Sequence, residues 1–81
     1  MLTGEQIRAA RALARLEQAA LVDASGISLP TIKRLEKMVG PISANTGTET
    51  AIRKALEGAG VIFIDENGEG PGVRLKKRAG I

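Results

Sequence analysis

The chain has 81 residues, 43% of them hydrophobic but only one aromatic, Phe63, and 12 Lys/Arg against 9 Asp/Glu give it a net charge of +3. It contains no Cys and no His, which excludes disulfides, Cys/His zinc sites and thiol chemistry. A chain of this size makes one small domain, here with an aliphatic, alanine-rich core stabilised by packing or oligomerisation.

The positive balance suits a polyanionic partner without identifying one. No apolar run approaches the length of a membrane span, and the start lacks the basic-then-apolar pattern of a signal peptide. A cytoplasmic protein with no membrane contact is expected.

The first helix opens at Thr3, whose hydroxyl can cap free amides, with Gln6 three residues later to complete a capping box. Leu2 and Ile7 stand where a hydrophobic staple would close. Ile7, Ala10 and Ala14, flanked by Leu13, then form an apolar stripe that runs to about Arg15, with Arg8 and Arg15 outside it. A second, shorter helix fits Gln18 to Ala24, anchored by Leu21 and stopped by Ser25 and Gly26.

The next stretch, "GISLPTIKRLEK", carries a proline two residues past Ser28. The first four amides of a helix have no intrahelical partner, so Pro30 marks a rigid start rather than a break. This third helix is expected through about Lys37. Gly40 and Pro41 end the pattern. Thr46 and Glu49 offer a second capping box for a fourth helix, with Ile52, Ala55, Leu56 and Ala59 on its apolar face and Gly60 at its end. "VIFID" and "VRLK", joined by the turn-rich "ENGEGPG", then predict a β-hairpin. Lys77 to Ile81 are expected to fray.

Gln18, Leu21, Gly26, Ile27, Ile32 and Leu35 resemble the helix-turn-helix of the Cro/C1 (Xre) family of transcriptional regulators. Leu21, Ile27, Ile32 and Leu35 would form the small core holding two helices at a steep angle, with Gly26 in the sharp turn. The resemblance covers about sixty residues. It extends to Arg11, which matches a family arginine paired with a glutamate late in the recognition helix; Glu36 stands at that glutamate's position. The chain departs from the family pattern at Val22, where a small residue is usual, and at Glu17, which replaces a better capping Ser or Asn. "EKMVG" also replaces the common Glu-x-Gly exit, which leaves room for a longer third helix.

The resemblance implies a four-helix Cro/C1-type domain over residues 1–60; with the C-terminal β-hairpin over 61–76 and the tail over 77–81 read from the residues, the expected fold is mainly α. It implies that the third helix enters the DNA major groove with Ser28, Leu29, Pro30, Lys33 and Arg34 facing base edges. Arg34 suits a guanine, Lys33 a guanine or a phosphate, and Leu29 and Pro30 the methyl groups of thymine. Gln18, Thr31 and Lys37 are the expected phosphate contacts, and Arg11 with Glu36 a structural ion pair. The final "RLKKR", Arg74 to Arg78, reads as a soluble tail in preference to a DNA arm.

Catalysis lacks its parts: the acids are scattered, and "TGTET" and "ENGEGPG" lack the strand, loop and lysine of a phosphate-binding site. "DENGEG" is too short for a calcium loop. Neither enzymatic activity nor a cofactor is expected. The expected function is a sequence-specific, double-stranded-DNA-binding, autoregulatory transcriptional regulator, a repressor or an activator. The alternative is an antitoxin or antiactivator that grips a regulatory protein partner. One such motif covers little DNA, so a homodimer on half-sites about 34 Å apart is expected. Val61, Ile62, Phe63 and Ile64, with Val73 and Leu75, are the candidate dimer contacts, because "VIFI" is apolar on both faces. The competing arrangement folds the hairpin back over helices one and four.

Overall fold

Thr3 starts the first helix as its spacing to Gln6 requires. Its hydroxyl accepts from the Gln6 amide while the Gln6 side-chain oxygen accepts from the Thr3 amide, at 3.0 and 2.9 Å. In the computed structural model, which describes residues 1–77, this reciprocal cap begins α1 (Gly4–Ala14). There follow α2 (Gln18–Ser25), α3 (Leu29–Glu36), α4 (Thr46–Gly58), β1 (Val61–Ile64) and β2 (Gly72–Leu75). The described residues are mainly α, four helices and one antiparallel hairpin. No helix among the described residues is long and apolar enough to cross a membrane. Residues 78–81 of the expected tail lie outside the described residues; Lys77 is exposed.

The three residues between α2 and α3 make the turn. Gly26 caps α2 in the left-handed conformation, φ 73°, which glycine adopts without a Cβ clash. Ser28 caps α3 by accepting from the Thr31 amide, with Pro30 in the first turn as expected. Glu17 begins α2 without a side-chain cap.

Two local expectations are corrected. The fourth helix is capped by Asn45, not by a Thr46–Glu49 box: Asn45 Oδ1 accepts from the Thr48 amide at 2.7 Å. Asn outranks Thr as a cap, and the shift frees Glu49 to accept from the Leu2 amide at 2.8 Å, which ties down the chain start. Nor does α3 run past the usual exit. The Lys37 and Met38 amides donate three residues back, to Arg34 and Leu35, which tightens and closes the helix. The Leu35 and Met38 carbonyls lie over Gly4, where a Cβ would collide with both.

The core joins Leu2, Ile7 and Ala10 with Leu21, Ile32, Leu35, Ile42, Ile52, Leu56 and Val61. Ile27 packs against it half-buried. Ile42 belongs to the loop after α3, which pairs with the chain start: Thr3 bridges Pro41, Ile42 donates to the Leu2 carbonyl and Gly4 to that of Gly40. Below the hairpin lie α1 and α4. Its register pairs Val61 with Leu75 and Phe63 with Val73, so these four side chains share one face, with Ile62, Ile64 and Arg74 on the other. Val61 is part of the core, and Phe63 and Val73 pack against it. The fold-back over helices one and four is therefore what this face does, and Val61, Phe63 and Val73 are engaged within the chain.

Candidate functional site

The eight residues of α3 divide sharply. Ile32, Leu35 and Glu36 are buried, while Leu29, Pro30, Lys33 and Arg34, with the capping Ser28 and the C-terminal Lys37, are exposed. Helical period accounts for most of this: 32, 35 and 36 share the side that meets α1 and α2, and 30, 33, 34 and 37 fall on the other, while Leu29 is exposed because it stands in the first turn, at the helix tip. All five residues expected to read bases are exposed, Ser28 and Leu29 at the tip of the helix and Pro30, Lys33 and Arg34 along its outer side.

Glu36 is a carboxylate with 4% exposure, and its burial demands partners. Arg11 supplies two. Its Nε donates to Oε2 at 2.7 Å and its Nη2 to Oε1 at 3.0 Å, a bidentate pair. The remaining Arg11 nitrogen, Nη1, donates to the Leu16 carbonyl at 2.9 Å, so the same guanidinium ties α1 to the start of α2. Hydrogen bonding to Glu36 raises the Arg11 pKa above its ordinary value. The expected structural ion pair is in place.

Gln18 adds a third bond: its Nε2 donates to Glu36 Oε1 at 3.1 Å. A carboxamide carries two N–H groups, so this bond orients the amide and leaves its second hydrogen for another acceptor. Thr31 is half-buried and its hydroxyl oxygen accepts from the Ser28 hydroxyl at 3.0 Å, which leaves its own proton to donate. Lys33 and Lys37 lie with Gln18 and Glu36 around an open cleft of about 370 Å³, completed by Arg8. Three cations and an oriented amide therefore converge at the junction of α1, α2 and α3.

Arg34 lies apart from this cleft. Its Nη1 donates to the Ser43 carbonyl at 3.3 Å in an exposed, long bond. Such a bond contributes at most about 1 kcal/mol and exchanges readily with a better acceptor.

Arg8 is the member that sequence reasoning left as a solvent-facing cation. It donates to the Glu36 carbonyl at the end of α3 as well as lining the cleft. Its spacing of three from Arg11 puts both on one side of α1, which was the available signal. The contact of Arg34 with Ser43 had no comparable signal, because it depends on the path of an irregular loop.

No protein-family model matches this chain, and no curated protein matches it either.

Proposed function

We propose that the chain is a helix-turn-helix regulator of the Cro/C1 type, which binds double-stranded DNA by laying α3 in the major groove. The observation that carries this reading is the exposed face of α3. Ser28, Leu29, Pro30, Lys33 and Arg34 project from a helix whose opposite side is pinned by the Arg11–Glu36–Gln18 bonds. A rigid helix presenting a guanidinium, an ammonium and an apolar tip suits groove reading: the guanidinium matches guanine N7 and O6, and the tip matches a thymine methyl. The cleft supports the backbone contacts that fix register. Gln18 offers its second amide hydrogen, Thr31 its hydroxyl, and Lys37, Lys33 and Arg8 their charge to phosphates.

Symmetric half-sites imply a homodimer. After Val61, Phe63 and Val73 pack inward, two separate apolar surfaces of the hairpin are left for a second copy: Ile62 and Ile64 on its outer side, and Leu75, which shares the inward face but is exposed at the open end. The regulator would act on its own promoter. Footprinting on the DNA upstream of its own gene tests the proposal. A discrete protected site, two half-sites about 34 Å apart, is expected; protection no different from that of unrelated DNA would remove DNA from the account and favour a protein partner.

A further inference from the structure

An open groove of about 680 Å³ lies where the end of α1, the end of α4 and the open end of the hairpin meet, away from every residue assigned above to DNA. Leu13, Ala14 and Leu75 supply its apolar lining, and Arg15, Lys76 and Lys77 make it cationic. Leu13 and Leu75 are 37% and 46% exposed although each belongs to an apolar pattern. Arg15 is the only non-glycine residue with positive φ among the described residues, at 56°. A helix end of this kind normally takes glycine, and a side chain held there at a cost points to a use for it.

The hairpin itself is electrically polarised. Asp65, Glu66 and Glu69 lie at its turn, whereas Arg74, Lys76 and Lys77 lie at its open end, one strand length away. Asp65 is 76% exposed; among the described residues it makes a single long 3.7 Å ion pair, to Arg53, and Glu66 bonds only to amides of its own turn. The acidic turn cannot reach the basic groove of its own chain, because the strands hold them apart. Two copies related by a two-fold axis, with hairpins antiparallel, bring each turn to the other's groove, and the contact is made twice.

We propose that this groove seats the acidic hairpin turn of a second copy of the chain. The inference rests on the homodimer reading given above and adds which surfaces meet, and in which orientation. Charge opposition fixes the antiparallel arrangement, since parallel hairpins would set acid against acid and base against base. The exposed leucines lose their water in the same contact.

Charge reversal tests this on the full chain. Sedimentation equilibrium would compare the wild type, D65K/E69K, K76E/K77E and an equimolar mixture of the two variants. The wild type should dimerise, more weakly by about tenfold as salt rises from roughly 50 to 500 mM. Each variant alone should be monomeric where the wild type is dimeric. The mixture should form a heterodimer, because both contacts again join opposite charges. A mixture that stays monomeric would overturn the proposal. So would variants that dimerise as the wild type does, an outcome that keeps the homodimer and moves its interface. A wild type monomeric throughout removes the homodimer reading as well, while footprinting still reports DNA binding separately. Should a reversed chain fail to fold, the neutral variants D65N/E69Q and K76Q/K77Q report the same contact: each should weaken dimerisation and flatten its salt dependence, and unchanged dimers would overturn the proposal.

Discussion

Gln6 and Gly72 are joined by a hydrogen bond across 66 positions of sequence: Gln6 Nε2 donates to the Gly72 carbonyl at 3.1 Å and to that of Ile64 at 3.2 Å. The oxygen of the same side chain closes the cap of α1. One amide thus starts the first helix and holds the hairpin at both strands. A glutamate could do only the former, which explains the amide here. Gln6→Glu should keep the helix cap and set a carboxylate against two carbonyls, costing about 1–3 kcal/mol at neutral pH. Folding would then raise that carboxyl's pKa, so the folded variant binds more protons than the unfolded one. Its stability should therefore rise as the pH falls through the raised value, toward a plateau below the ordinary carboxylate range. Urea unfolding of the variant from pH 7 down to pH 4 checks the sign.

Gly4→Ala should destabilise the fold although alanine is the better helix former. The added Cβ would lie 2.7 Å from the Leu35 carbonyl and closer still to that of Met38, both backbone atoms that cannot swing aside. Overpacking of this kind costs about 1–3 kcal/mol, and each kcal/mol lowers the melting temperature of a domain this size by roughly 4–8 °C. Thermal unfolding followed by circular dichroism measures it.

Removal of Arg11 leaves the buried Glu36 without its bidentate partner. Arg11→Ala should cost about 3 kcal/mol, as expected for breaking one side of a buried pair. The double change Arg11→Met/Glu36→Leu should recover much of that loss, because no charge is then buried alone. Denaturant midpoints of the two variants separate a structural role from a DNA contact.

Helix positions and the hairpin were legible because their signals are local: the Thr3–Gln6 spacing, Gly26, Ser28 with Pro30, and the turn residues between β1 and β2. The exposed face of α3 followed from the same periodicity. What sequence could not supply were contacts between distant segments. Gly4 shows no local reason to be glycine; the reason is a pair of carbonyls, of Leu35 and Met38, 31 and 34 residues later. Asn45 and Thr46 are both capable caps; the stronger one is used, and the bond this leaves Glu49 free to make, to Leu2, 47 positions earlier, has no local signal. "VIFI" shows apolar residues on both faces, and only the packing of Val61 and Phe63 against the core says which face turns inward.

Pro30 separates folding from recognition. It lies exposed in the first turn, where no helical hydrogen bond is lost, so Pro30→Ala should change stability by no more than about 1 kcal/mol. If its ring meets a thymine methyl, uracil at that thymine should weaken the wild type more than the variant. Equal losses in the two proteins would leave Pro30 a structural element only.

The central claim, that the exposed face of α3 reads DNA sequence, is tested most directly at Arg34. The measurement is the affinity of wild type and Arg34→Ala for the footprinted site and for each single base-pair replacement within it, at one fixed salt concentration. Arg34→Ala should weaken the preferred site by about 1–3 kcal/mol and abolish the preference at one base pair while leaving the others intact. Gln18→Ala, by contrast, should weaken every sequence alike. An Arg34→Ala protein with unchanged affinity and the full wild-type base preference would contradict the account.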